Sequence, residues 1–378
     1  MQHRWDIFCQ VVDNFGDIGV CWRLARQLQR THQQVVRLWV DDLASFSRIA
    51  QDVNPAIPCQ VVQAIEIHHW QQPLGAIEPA DVVIEAFACE LPETYVATML
   101  QQARPPVWIN LEYLSAEDWV RGCHGLPSPH PRLPLTKYFF FPGFVPGTGG
   151  LLRDNTVESR QDAVNTAEKN KCWERINIPA HKAEELRISL FCYDHAPINA
   201  MIAIWSNSPS PVFLIVPHGR MAEKISILMG HFSAPLNQIM RSGQLSVQVI
   251  PFMPQDDYDQ LLWACDINFV RGEDSFVRAQ WAMHPFVWHI YPQADRAHES
   301  KLNAFLKLYT ADLPLEIAQA VTKFWYGWNG MDEIDLVSWA SFAACNQALR
   351  VHGKNWADQL RAQDDLASNL VRFIRNQL

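Results

Sequence analysis

Asp13 and Asp17 stand four residues apart in the segment Asp13-Asn14-Phe15-Gly16-Asp17-Ile18-Gly19, and two carboxylates so spaced can grip a cation or take a proton. The apolar run Ile7 to Val12 reads as a strand and Val20 to Leu28 as the helix after it. The acidic turn therefore leaves the carboxyl end of a strand, the edge at which open α/β sheets bind ligands. Gly16 and Gly19 permit sharp backbone turns there. The pattern is not Gly-x-Gly-x-x-Gly, and two acids would repel a dinucleotide pyrophosphate. A cationic or proton-donating acceptor suits them better. The plainer alternative is an acidic helix cap with a solvated neighbour.

A second constellation is Arg271-Gly272-Glu273-Asp274-Ser275, between a strand read at Cys265 to Val270 and a helix read at Phe276 to Met283. The free N–H groups of the helix start, the guanidinium fork of Arg271 and the Ser275 hydroxyl suit a diphosphate. Glu273 and Asp274 oppose a bare diphosphate, yet they can bond sugar hydroxyls or contact an acceptor. Equally, Asp274 or Ser275 can cap the helix, and Arg271 can pair with either acid at the surface. Phe191 and Phe252 stand near the carboxyl ends of two strands, where an exposed ring stacks on a base; the alternative is a place in the core. No His-x-Glu-x-x-His, Asp-x-Asp or clustered cysteine motif occurs, and His68-His69, adjacent in a strand, point to opposite faces. No metal is expected.

These residues need a scaffold, and the apolar rhythm supplies one. Strands are predicted at 5–12, 35–40, 60–65, 81–85 and 107–111, with helices near 19–31, 42–51 and 91–103, the alternation of a doubly wound parallel sheet. The Gly/Pro-rich stretch Pro142 to Gly150 and the polar segment Arg153 to Lys171 predict a domain connection. The rhythm restarts with strands at 186–193, 212–216, 246–251, 265–270 and 286–290, and helices near 197–206, 219–230, 255–264, 274–283 and 296–308. From Leu313 onward the pattern is helical only. The expected division is 1–155, a linker region at 156–180, 181–355, and a terminal helix at 356–378 that crosses back to the first domain. Two such domains place a small-molecule cleft between the carboxyl edges of their sheets.

With 378 residues, 48% of them hydrophobic, the chain can bury two cores. A net charge of -9 argues against general affinity for nucleic acid or an anionic membrane. Nine cysteines without a Cys-x-x-Cys pair, scattered through apolar segments, read as reduced core residues, and the start of the chain lacks a signal-peptide pattern. A soluble cytoplasmic protein is expected.

Five segments together resemble one family: Asp13 to Leu28, Glu85 to Pro92, Trp108 to Ser115, Phe141 to Phe144 and Arg271 to Ser275. The chain resembles, over nearly its whole length, the EarP protein-arginine rhamnosyltransferases, which modify bacterial elongation factor P. The resemblance implies an α/β GT-B fold of two Rossmann-like domains, the first on the acceptor side and the second binding the nucleotide sugar. It implies transfer of rhamnose from dTDP-β-L-rhamnose to one arginine, with inversion, no metal and no cofactor. On the same basis Asp17 matches the general base, and Asp13 and Glu273 match further catalytic carboxylates. Asn14, Phe15 and Gly16 would line the sugar side, and Phe191 and Phe252 would flank the thymine. Tyr193, Gln255, Arg271, Gly272, Asp274 and Ser275 would meet the nucleotide and its diphosphate. The alternative kept open is a GT-B transferase with another nucleotide sugar or acceptor, and a two-lobed binding protein without turnover is the rival of another class.

Overall fold

Strand β1 (Arg4–Cys9) is buried at every residue after Arg4, as a strand covered on both faces must be. The structure is a computed structural model that describes residues 2–12, 15–70, 77–153, 166–182 and 184–378. Strands β2 (Val35–Val40), β3 (Cys59–Val62), β4 (Ile65–His69), β5 (Val82–Ala86), β6 (Val107–Leu111), β7 (Pro127–Pro129) and β8 (Thr136–Phe140) join β1 in the order β3-β4-β2-β1-β5-β6-β8-β7. All pairings are parallel except the outermost on each side, β3 with β4 and β7 with β8. Helices α1 (Gly16–Arg30), α2 (Leu43–Ile49), α3 (Glu93–Gln101) and α4 (Val120–Cys123) connect them. Phe8, Trp39, Trp70, Val83, Tyr95, Met99 and Trp108 pack into one core cluster. Its buried acid, Asp6, accepts from Arg37 through two nitrogens at 2.6 Å each, from Trp39 Nε1 at 3.0 Å, and from the Tyr95 hydroxyl.

The second sheet runs β11-β12-β10-β9-β13-β14, with β9 (Leu186–Leu190), β10 (Val212–Pro217), β11 (Ile239–Ser242), β12 (Leu245–Ile250), β13 (Ile267–Arg271) and β14 (Phe286–His289). It is parallel apart from β11. Its helices are α5 (Thr166–Arg175), α6 (Ile198–Ser206), α7 (Arg220–Leu228), α8 (Gln255–Ala264) and α9 (Asp274–Trp281), followed by α10 (Ala297–Tyr309), α11 (Leu315–Trp328), α12 (Leu336–Ala344) and α13 (Asn346–Arg361). The last helix, α14 (Leu366–Gln377), returns to the first unit. There Gln27 of α1 donates to Asp365 at 2.7 Å, and Asp365 caps α14 by accepting from the Ser368 N–H. One compact unit comprises Met1–Ser159 with Leu360–Leu378, and the other Arg160–Gln359.

Several elements differ from the sequence pattern. Helix α1 starts at Gly16, three residues earlier than the periodicity indicates, so Asp17 lies in its first turn. The run read as one strand at 60–65 is a hairpin, β3 and β4, turning at Gln63 and Ala64 with φ of 52° and 62°. Strands β7, β8 and β11 are additional. Within the stretch expected as a linker, 166–175 is helical, and Cys172 and Trp173 are buried with Phe213, Ile215 and Leu261. All nine cysteines are free, and among the described residues no helix is long and apolar enough to cross a membrane.

Burial has a consequence for acid stability. His284 donates from Nε2 to the Trp263 carbonyl at 3.0 Å, and its own burial, then Arg350 and Lys169, lower its pKa from 6.5 to about 3. The unfolded chain therefore binds a proton that the folded chain refuses, so this stability is complete above about pH 6.5 and lost as pH falls toward 3. Denaturant titrations of His284→Gln between about pH 4 and 6 are expected to show a pH slope shallower than wild type, by up to about 1.4 kcal/mol per pH unit. Parallel slopes would mean that His284 takes no part.

Candidate active-site residues

Asp17 is 3% exposed, and both of its oxygens are engaged at the carboxyl edge of the first sheet. Oδ2 accepts from the Val12 N–H at 2.8 Å and Oδ1 from the Tyr113 hydroxyl at 3.3 Å. The N-cap residue is Phe15, which makes no side-chain cap, with the Arg48 guanidinium 5.6 Å from its ring centre. Gly16 opens the helix, and a carboxylate one residue later sits against its positive end. Asp13 and Asn14 lie outside the described residues.

In the second unit the predicted residues converge at the carboxyl ends of β9, β12 and β13. The Arg271 guanidinium carbon lies 4.5 Å from the ring centre of Phe191 and 4.6 Å from that of Tyr193. Such cation–π contacts hold the guanidinium beside both rings. Phe191 and Phe252 meet edge to face, with centroids 6.4 Å apart at 64°. A base stacked on one ring would therefore meet the other edge-on. Gln255, first residue of α8, donates to Asp274 Oδ2 at 2.7 Å, which steadies the acid at the start of α9. Glu273 occupies the N-cap position of α9 without a side-chain cap. The turn before it is closed by Ser275, whose hydroxyl donates to the Arg271 carbonyl at 2.5 Å and accepts from its N–H at 3.2 Å. Gly272, at φ 64°, takes the left-handed conformation this turn requires, and its carbonyl accepts from Trp288 Nε1 at 2.8 Å. The Ser275 hydroxyl is thus spent on the turn, which aims the N–H groups of α9 and the Arg271 side chain.

A family model described as Elongation-Factor P (EF-P) rhamnosyltransferase EarP matches residues 5–375. The chain belongs to the EarP family. The protein-arginine rhamnosyltransferase of Pseudomonas putida is 45% identical over 380 residues, with all of both chains covered. A solved structure described as the structural basis for EarP-mediated arginine glycosylation of translation elongation factor EF-P is 32% identical, with a TM-score of 0.70 and 100% of each chain covered. Arabidopsis thaliana UGT89C1 complexed with UDP shares the fold at 10% identity, with a TM-score of 0.54 and 99% of each chain covered. The chain is an enzyme of the EarP family with the α/β GT-B glycosyltransferase fold.

Each unit also holds residues, near those described, that the sequence reading did not assign to a site. In the first unit of this EarP-family chain, Tyr113, just beyond β6, stacks on Phe87 with centroids 4.6 Å apart, and its hydroxyl reaches Asp17. Phe87 and Ala88 have φ of 57° and 56°, strained for non-glycine residues, and strain of this kind gathers at functional sites. In the second unit Tyr193 is ringed by His195, His289 and Tyr291. His289 Nδ1 accepts from the Tyr193 N–H at 3.2 Å, so the neutral ring carries its proton on Nε2. Burial first, then His195 and Arg271, hold the His289 pKa far below its ordinary value. The ring stays neutral and adds no charge beside Arg271. For Phe87, Ala88 and Tyr113 the available signal was their place in the segments Glu85 to Pro92 and Trp108 to Ser115 that carry the family resemblance; for His289 and Tyr291 it was position alone, at or just past the end of β14.

Proposed function

We propose that this EarP-family enzyme transfers rhamnose from dTDP-β-L-rhamnose to one arginine side chain of elongation factor P, with inversion at the anomeric carbon and without a metal. The support that weighs most is that one chain, matched by that family over residues 5–375, pairs a buried, doubly held carboxylate with an aromatic and arginine cradle at a helix start.

Arginine is a demanding acceptor, because its guanidinium has a pKa above about 12 and its lone pairs are delocalised. A carboxylate that accepts a proton while a second grips the fork overcomes both difficulties. Asp17 takes the proton in this reading, with Asp13 and Glu273 orienting the cation or the sugar. As the C–N bond forms, the bond from the anomeric carbon to the diphosphate oxygen breaks and dTDP departs on the opposite side. Arg271 and the N–H groups at the start of α9 stabilise the charge gathering on the leaving diphosphate. The test is mass spectrometry of purified elongation factor P after incubation with the enzyme and dTDP-rhamnose. One deoxyhexosyl group on one arginine is expected; an unmodified factor, or equal transfer from unrelated nucleotide sugars, overturns the reading.

Three variants address the donor side. Phe191→Ala and Phe252→Ala should each weaken dTDP binding by about 1 to 3 kcal/mol in calorimetry if the rings carry the base. Unchanged affinity in a folded variant would return that ring to a packing role. Arg271→Lys should impair dTDP binding more than thymidine binding, since an ammonium keeps the charge beside Phe191 and Tyr193 but presents no planar fork to a diphosphate. Equal losses for the two ligands would place Arg271 away from the diphosphate.

A further inference from the structure

The β3–β4 hairpin brings three different metal-binding side chains to one face of the first sheet's edge. Cys59 and His68 are direct partners in the antiparallel register, and Glu66 precedes His68 by two residues on the same strand, hence on the same side. The Cys59 sulfur, a Glu66 carboxylate oxygen and a His68 ring nitrogen all lie within 4.8 Å of one another. His68 Nε2 is 2.6 Å from Glu66 Oε1 and 4.0 Å from Cys59 Sγ. A tetrahedral ion with bonds of about 2.0 to 2.3 Å holds its ligand atoms roughly 3 to 4 Å apart, so small side-chain rotations suffice.

The surroundings favour ligation. His68 stacks on Trp39, with centroids 4.2 Å apart at 22°, and Trp39 stacks in turn on Phe8 at 5.4 Å, so the imidazole rests on a buried aromatic column. Cys59 is exposed and Glu66 and His68 are half-buried, which leaves a route for the ion and room for a water as fourth ligand. The neighbouring His69 takes no part, since its Nε2 bonds the Asp41 carbonyl at 3.0 Å. Sequence inspection weighed the adjacent histidines and missed this set, because Cys59 joins it only through strand pairing.

We infer that Cys59, Glu66 and His68 form a binding site for a divalent zinc-like cation, with water completing a tetrahedral shell. A thiolate, an imidazole and a carboxylate together select zinc over magnesium or calcium, which take oxygen ligands. On binding, the Cys59 thiol gives its proton to solvent and His68 carries its proton on Nδ1, freeing Nε2 for the metal. The ion would staple β3 to β4 at an edge where the pairing spans four residues. It lies on residues separate from the transfer chemistry proposed above, and its test is independent of that reading.

The test uses the full chain, stripped with chelator and then titrated with zinc, and in parallel with cobalt(II) as a spectroscopic probe. One equivalent of cobalt is expected to give the intense tetrahedral visible bands and a thiolate charge-transfer band, with quenching of tryptophan fluorescence from Trp39. Cys59→Ser should abolish the thiolate band. His68→Gln and Glu66→Gln should weaken zinc binding by at least about 10- to 100-fold, the loss that follows even when an outer partner of a ligand is removed. Cys123→Ser and Cys345→Ser, which alter the other two cysteines that are not buried, should change nothing. Circular dichroism confirms that each variant is folded. The assignment is overturned if wild type binds no zinc, if cobalt shows no thiolate band, or if Cys59→Ser and His68→Gln bind as wild type does.

Discussion

Asp17→Asn is expected to stop rhamnosyl transfer while dTDP binding stays near wild type. The amide nearly preserves shape, its oxygen can still accept from the Val12 N–H, and its nitrogen can donate to Tyr113 in place of the bond Asp17 accepts. The lost property is the ability to take a proton, which is worth about 10² to 10⁴-fold in rate for a positioned base. Tyr113→Phe should cost less, because the carboxylate remains and only its second restraint is removed. Turnover assays set beside dTDP calorimetry separate the cases. An Asp17→Asn enzyme with near-normal turnover would remove Asp17 from the role of base, and equal, severe losses in both variants would make orientation rather than proton transfer the decisive factor.

The second large effect concerns the acceptor. Replacing the arginine of elongation factor P proposed above as the acceptor with lysine is expected to end the reaction, although the charge is unchanged. An ammonium presents no planar fork for two carboxylates, and its protonated nitrogen has no lone pair. Because the enzyme carries a net charge of -9, attraction should draw on a basic surface of the folded factor as well as on the single side chain. A short free peptide around the arginine should therefore be a poor substrate in the same mass-spectrometric assay. Efficient modification of such peptides, or of the lysine variant, would point to an enzyme that reads a single exposed side chain.

Most of the parallel strands were legible because each is a short apolar run between turn residues, β8 being the parallel strand that was missed, and the two acidic turns were legible because they fall at strand ends. The hairpin at Cys59 to His69 was not. Its two-residue turn is Gln63-Ala64, both with positive φ, where the usual signal is Asn-Gly or Asp-Gly. Strand β7 contains two prolines in three residues, a composition that argues against a strand anywhere but an edge. Among the candidate residues, residue type and spacing singled out Asp17 in the first unit and Arg271 and Ser275 in the second, but spacing is silent about partners. The Tyr113 contact spans 96 positions, and the His289 contact to Tyr193 another 96. The Ser275 hydroxyl shows the converse limit: a polar group in the right place is used by its own backbone.

Helix α14 has a consequence for how the chain is made. Its buried stripe, Leu366, Ala367, Leu370, Val371 and Ile374, belongs to the first unit, where its neighbour Phe373 packs edge to face against Tyr138 and Phe140. On the ribosome the residues Arg160–Gln359 intervene, and at about 5 to 20 residues per second their synthesis takes roughly 10 to 40 s. Throughout that interval the leading unit is an unfinished product whose apolar flank awaits the last helix. Vectorial folding, in which an N-terminal domain matures before its successor appears, is incomplete in this topology, because the surface under α14 is covered only after α14 itself has been made.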